Sequence, residues 1–210
     1  MIIGISGGSG AGKSTTSRKL AEVLPNSLLV VVDISMHEYS SKYEKEILKK
    51  IGISENPDLF CYNYFHDSFE NIKTWIDTIK SDVISDVEKI INDNPGKDYI
   101  IVDWCYLPLC KFNEKCDYTI CVKSDFDERK GRLTKRLLNI QNSSHDKYNI
   151  PFSKWTTEAY EKRLKYSDLS EQGYSFDYYL YNNSSLADLN NNIEMLAQNI
   201  KNLTIHNKEG

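Results

Sequence analysis

At 210 residues, the chain is long enough for one domain, on a prior of about 150 residues each, and for a core that needs no disulfide or metal staple. Hydrophobic residues make up 40% and charged residues 27%, a globular balance that excludes wholesale disorder. The formal charge of −4, from 26 Lys+Arg against 30 Asp+Glu, argues against a broad nucleic-acid footprint.

Met1 to Ser6 is short, apolar and stopped by glycines, which predicts a buried strand. Lys13 to Leu24 reads as a helix ended by Pro25-Asn26, and Leu28 to Val32 as a second strand buried on both faces. A short helix is expected from Tyr43 to Ile51, closed by Gly52, with a break at Pro57. Ile72, Trp75, Ile76, Ile79, Val83, Val87, Ile90 and Ile91 then recur at three- and four-residue spacing, the stripe of a long amphipathic helix that stops near Asn94-Pro95-Gly96. Tyr99 to Val102 and Tyr118 to Val122 are the third and fourth strands. Phe126 to Ile140 is a helix dense in basic residues, Gln141 to Phe152 a polar loop, and Ser153 to Leu169 helical again. Tyr178 to Tyr181 is the fifth strand and Leu186 to Ile200 the final helix. Strands alternating with helices imply a parallel sheet covered on both faces. No internal repeat and no Gly/Ser/Pro-rich linker divides the chain.

The apolar start is too short for a signal h-region and has no cationic flank. No apolar run is long enough to span a bilayer, so no membrane partner is expected. Five cysteines, an odd number, fit a reducing, cytoplasmic compartment better than a secreted disulfide scaffold. Cys105, Cys110, Cys116 and Cys121 have neither the usual C-x₂-C pairing nor a loop setting throughout, and read as core thiols rather than as a zinc site.

The chemistry concentrates in Gly7-Gly8-Ser9-Gly10-Ala11-Gly12-Lys13-Ser14, which satisfies G-x-x-x-x-G-K-[ST] with a strand before it and a helix after it. In such a loop glycines let backbone N–H groups turn around phosphate oxygens, and the helix N-terminus adds its dipole. Gly7 to Lys13, with Ser14 and Thr15, are therefore the expected ATP-binding residues. Lys13 is assigned to the β- and γ-phosphates and the Ser14 hydroxyl to Mg²⁺. Asp33, directly after the second strand, is either a helix N-cap or a carboxylate that takes the proton of an acceptor hydroxyl. Asp103, ending the third strand, is either a turn residue or a second residue holding the metal through a water. Arg132 and Arg136, four apart, share a helix face next to the polar loop and suit a lid that neutralises transferring phosphates. Arg129 belongs to the same basic set, and the alternative for all three arginines is a solvated face paired with Asp127 and Glu128. Arg163 and Lys165 stand on the far side of the loop. His37 and His66 are isolated, and His37 lies close enough in sequence to Asp33 to touch a substrate.

These features together resemble a P-loop small-molecule kinase. The wording Gly4-Ile5-Ser6-Gly7-Gly8-Ser9-Gly10-Ala11-Gly12-Lys13-Ser14-Thr15 is most similar to uridine kinases, whereas the rest of the chain resembles dephospho-CoA kinase. The second likeness runs through Asp33, His37-Glu38, Gly52, Asp117, Arg132-Leu133-Thr134-Lys135-Arg136, Arg163 and the ending from Phe176 to Leu186. It departs where the family has D-A-D, a helical His-Pro and P-L-L-F-E: here stand Asp33 as one acid, Ser81-Asp82, and Cys105 to Leu109 with no Glu. The resemblance implies an α/β, three-layer α/β/α P-loop NTPase of the nucleoside/nucleotide-kinase kind, with a five-stranded parallel sheet and a helical lid. It further implies one domain over 1–210, with acceptor-side helices near 40–94 and the lid near 125–170. The expected activity is Mg²⁺-dependent transfer of the ATP γ-phosphoryl group to a small-molecule hydroxyl. The 3′-hydroxyl of dephospho-CoA is the first acceptor and a uridine- or cytidine-type nucleoside the alternative. A different class, an ATP-binding regulatory protein without kinase activity, remains open.

Overall fold

The structure is a computed structural model that describes residues 1–53, 64–141 and 157–206. Its five strands are β1 (Ile2–Ser6), β2 (Ser27–Val31), β3 (Tyr99–Asp103), β4 (Tyr118–Lys123) and β5 (Tyr178–Tyr181). They form one sheet in the order β2-β3-β1-β4-β5, and every neighbouring pair is parallel. Parallel pairing requires crossover connections, and the helices that supply them bury both faces of the sheet. All five residues of β3 are accordingly buried. They alternate between two cores: Ile100 and Val102 face one, Tyr99 and Ile101 the other.

On the second face, α1 (Lys13–Val23) and α7 (Leu186–His206) pack through Leu20, Leu189, Ile193 and Leu196 against Ile3, Ile5 and Ile120. On the first face lie α2 (Asp33–Lys42), α3 (Glu44–Lys50) and α4 (Phe69–Asn92). The side chain of Ser68 caps α4 by accepting the Asn71 N–H at 3.1 Å, and the helix buries Ile72, Trp75, Ile76, Ile79, Val83 and Val87. Of the rest of the predicted stripe, Ile91 is half-buried and packs against the same core, whereas Ile90 is exposed. The basic helix is α5 (Phe126–Gln141), followed by α6 (Thr157–Ser167) and a 3₁₀ turn over Asp168–Glu171. The polar loop predicted over 141–152 falls almost wholly outside the described residues.

Beyond shifts of a single residue, three features differ from the sequence expectation. The final helix continues to His206 rather than stopping at Ile200. The helix expected to reach Leu169 ends at Ser167, where the chain tightens into the 3₁₀ turn. The third difference matters most: Asp33 to Lys42 is a helix, not a connection. Its sequence has no apolar stripe, burying only Met36 and Ser40, and partners distant in sequence hold it. The Trp75 indole N–H donates to Ser40 Oγ at 2.8 Å, and the Trp104 N–H points at Met36 Sδ at 3.0 Å.

Ile101 sits at the centre of the sheet with no exposed surface. Ile101→Ala is expected to lower stability by about 2–5 kcal/mol, the usual cost of emptying an aliphatic core position. The shift of the denaturant midpoint at unchanged slope measures it.

Candidate active site

Strand order places β1 between β3 and β4, with connections leaving to opposite sides, so the segment after Ser6 opens over the crevice at the carboxyl ends of the strands. There the chain makes the turn that its glycines allow. Gly7, Gly10 and Gly12 have φ of +150°, +78° and +110°, values that side-chain-bearing residues adopt at a cost. Space is short as well: a Cβ on Gly7 would overlap the Val122 carbonyl, and one on Gly12 the Asn182 side chain. Asn182 Nδ2 donates to the Ala11 carbonyl at 2.7 Å, fixing the loop from the end of β5.

Gly12 caps α1 with no side-chain hydrogen bond, which leaves a bare helix N-terminus suited to an anion. Lys13 folds back over the loop and donates from Nζ to the Gly7 carbonyl at 2.7 Å and to that of Gly8 at 3.4 Å. Ser9 is engaged from α6: its N–H donates to Ser167 Oγ at 2.9 Å, and its Oγ accepts from Arg163 Nε at 3.2 Å. Thr15, on the first turn of α1, is exposed.

Asp103 is buried at the tip of β3, where Ser17 Oγ donates to its Oδ2 at 2.9 Å. Burial pushes its carboxyl above the usual range; Lys13 opposes that, the Asp33 charge adds to it, and hydrogen bonds from Ser17 and Ser14 oppose it. Ser14 and Asp103 are thus brought together, a hydroxyl and a carboxylate beside the mouth of the loop. Their oxygen donor set fits a hard divalent cation such as Mg²⁺.

Asp33 is the first residue of α2, and the cap position belongs to Val32, so the N-cap alternative is not what the fold uses. The Asp33 side chain lines a cleft with Met36, His37, His66, Trp75, Cys105, Tyr106 and Arg163, enclosing about 320 Å³ that includes space open to solvent. Its aromatic wall is tightly arranged. Trp75 meets His66 at 5.4 Å and Tyr106 at 5.5 Å between ring centroids, both edge-on, and Tyr106 Oη lies 3.3 Å from His66 Nε2. Burial pushes the Cys105 thiol up to about 12, and it feels Asp33, Lys13, Arg163 and Asp103 at once. That protonated thiol is therefore a wall and not a nucleophile, and the four charges around it mark where loop and cleft meet.

The arginines sort differently from the sequence expectation. Arg163 reaches both the cleft and Ser9. Arg132 lies at the other side of the loop, donating to the Asn182 carbonyl at 2.8 Å, Ser124 Oγ at 3.1 Å and the Gly10 carbonyl at 3.4 Å. Arg136 is on the same helix, but its side chain lies outside the described residues. Arg129 is not on a solvated face with Asp127 and Glu128; it is buried and paired with Asp168. Lys165 is exposed, over the Tyr166 ring. The four described cysteines are free thiols. Sequence reasoning left His66 open between packing and surface and passed over Tyr106, which no motif marks. Trp75 was read only as part of the helical stripe, and its indole N–H bond to Ser40 is what turns it toward the cleft wall.

Sheet order, loop and flanking helix together form a parallel α/β fold with a phosphate-loop motif at the carboxyl ends of its strands. The family model "Phosphoribulokinase / Uridine kinase family" matches residues 2–82. Uridine kinase of Borreliella burgdorferi (strain ZS7) is 39% identical over 72 residues, and that of Borrelia hermsii (strain HS1 / DAH) likewise. Each match spans 34% of this chain and 34% of the relative, so the chain covers about a third of the length of the curated relatives it matches. Among solved structures, TT1252 from Thermus thermophilus superposes with a TM-score of 0.60 at 15% identity, covering 95% of this chain and 97% of that one. The dephospho-CoA kinase from Campylobacter jejuni does so with a TM-score of 0.53 at 15% identity, covering 95% and 96%. At such identity the likeness is one of fold. Among the described residues no helix is long and apolar enough to cross a membrane.

The Asp103 carboxyl is held above its ordinary value of 3.8. The folded chain therefore binds this proton more tightly than the unfolded chain, and its contribution to stability falls as pH rises from 3.8 through the folded value. Asp103→Asn should remove that slope. In chelator-containing buffer it is expected to be more stable than the native chain at neutral pH, with the two converging toward pH 4, as followed by melting temperature against pH.

Proposed function

We propose that the chain is an ATP-dependent kinase that transfers the γ-phosphoryl group to a hydroxyl of a small, nucleoside-like molecule. The observation that carries this reading is the adjacency of loop and cleft: Arg163, which lines the cleft together with Asp33, donates from Nε to Ser9 Oγ of the loop at 3.2 Å. A triphosphate held by the loop and an acceptor held in the cleft meet at that junction.

Gly7 to Gly12 wrap the phosphates with backbone N–H groups, and Lys13 exchanges its carbonyl partners for the β- and γ-phosphate oxygens. Ser14 and Asp103 hold Mg²⁺, which when bound supplies positive charge to the phosphates. Asp33 accepts the proton of the acceptor hydroxyl as its oxygen bonds to the γ-phosphorus and the bond to the bridging oxygen of ADP breaks. Arg163, already hydrogen-bonded to Ser9, stabilises the charge of the transferring group from the cleft side, and Arg132 acts from the opposite side of the loop; Arg136 is read into the same role from its four-residue spacing to Arg132. The positioning of two substrates in line, rather than covalent chemistry by the protein, accounts for the rate. We read residues 1–210 as one kinase domain, with the acceptor side over about 40–94 and the lid over about 125–170.

A nucleoside takes precedence over dephospho-CoA as acceptor. Asp33, Met36, His37, His66 and Trp75 of the cleft all fall inside the stretch that matches the uridine kinase family model. The wall of Trp75, Tyr106 and His66 suits a flat ring.

The test is ADP release from Mg·ATP with uridine, cytidine, other nucleosides and dephospho-CoA supplied in turn. Release that depends on a nucleoside supports the reading. Release with dephospho-CoA alone reassigns the acceptor, and bound ATP with no acceptor dependence identifies a nucleotide-binding regulator instead. With the working acceptor, Asp33→Asn is expected to cut turnover by about 10²–10⁴-fold while leaving ATP affinity unchanged, the scale of general-base catalysis. Undiminished turnover would remove Asp33 from that role.

A further inference from the structure

Arg129 is 2% exposed, far more buried than an arginine on a surface helix. Its guanidinium is clasped by both carboxylate oxygens of Asp168, with Nη1 to Oδ1 at 2.7 Å and Nη2 to Oδ2 completing the fork. Its Nε is buried with no hydrogen-bond partner among the described residues. Such a pair is a poor device for stability alone, since apolar residues of similar volume usually do as well, and an unmet buried donor costs more. The pair joins α5 to the 3₁₀ turn after α6. The residue before Asp168 is Ser167, whose Oγ accepts the Ser9 N–H.

The clasp also touches the loop directly. Gly8 is not among the glycines with positive φ, and the motif leaves its position free. A Cβ there would overlap Arg129 Nη1 and Asp168 Oδ1. A side chain at position 8 would thus have to displace the clasp, although the backbone there accepts one. We propose that Arg129 and Asp168 are positioning residues for the phosphate-binding loop, pressing on Gly8 from behind while Ser167 holds Ser9. The inference rests on the nucleotide-binding reading of the loop given above. A loop supported in this way meets the phosphates with its N–H groups already oriented, and α5 and α6 communicate with bound nucleotide through a contact on the loop itself.

The experiment is calorimetric titration of ATP, with excess Mg²⁺, into the full native chain and into Asp168→Asn, Arg129→Ala, Gly8→Ala and the Gly8→Ala/Arg129→Ala double variant, each checked for folding by melting temperature. Asp168→Asn and Arg129→Ala are expected to weaken ATP about tenfold, the scale of one charge-assisted contact. Gly8→Ala should weaken ATP by at least as much in the native background, yet by less than about twofold once Arg129 is gone, because that overlap is removed and the half-exposed Asp168, no longer clasped, is free to swing away from position 8. Native-like affinity in a folded Asp168→Asn, or equal Gly8→Ala losses in both backgrounds, overturns the proposal. If Arg129→Ala fails to fold, Asp168→Asn decides alone, since its side chain is 47% exposed and its replacement leaves no cavity. No ATP binding by the native chain overturns both this proposal and the loop reading; binding that is insensitive to the variants overturns this one only.

Discussion

The site is arranged around one backbone constraint: the turn from Gly7 to Gly12 is made in a space with no room for a side chain at Gly7 or Gly12, and with the Arg129–Asp168 pair pressed against Gly8. Three of its glycines take positive φ. The loop is bounded by the Val122 carbonyl, by Arg129 and Asp168 at Gly8, and by Asn182 at Gly12. Those boundaries belong to β4, α5, the turn after α6 and the residue after β5, so most of the second half of the chain serves to enclose a loop near its start. The sheet order makes this possible, because placing β1 between β3 and β4 brings the ends of both neighbours to the loop.

The same crowding sets the electrostatics. Lys13, Asp33, Asp103 and Arg163 gather at one end of the sheet, with Asp103 kept largely from water. Loop carbonyls meanwhile hold Lys13 Nζ. A site with a buried carboxylate and an ammonium resting on carbonyls is better satisfied by an incoming anion and cation than by its own groups, since charges interact more strongly where water is excluded. The cleft beside it has a different character, with an aromatic wall and a buried neutral thiol. On the proposed reading, phosphate binding at the loop and acceptor recognition in the cleft are divided between two neighbouring surfaces.

What the sequence made legible follows from how local each signal is. The loop motif, the five strands and the stripe of α4 depend on spacing within a short window, and they stand close to where periodicity puts them. Helix α2 was illegible because its burial rests on Met36 and Ser40 alone and its partners Trp75 and Trp104 are far along the chain. Asp33 was legible as an acid after a strand, but its place at the head of a helix was not. Among the arginines, spacing singled out Arg132 and Arg136 as a face, whereas tertiary packing selected Arg163 for the cleft and Arg129 for burial. The Arg129–Asp168 pair spans 39 positions, and no periodicity connects its members. The likeness to dephospho-CoA kinase holds at the level of fold, and the uridine kinase likeness of the loop extends through the first acceptor-side residues.

The central claim is that phosphoryl passes from the loop to a molecule in the adjacent cleft. Phosphorus NMR of a reaction containing the native chain, Mg·ATP and uridine follows that group directly. The account predicts loss of the γ-phosphate resonance matched one for one by a nucleoside phosphomonoester and ADP. Growth of inorganic phosphate in place of the monoester, at a rate indifferent to the nucleoside, would contradict it.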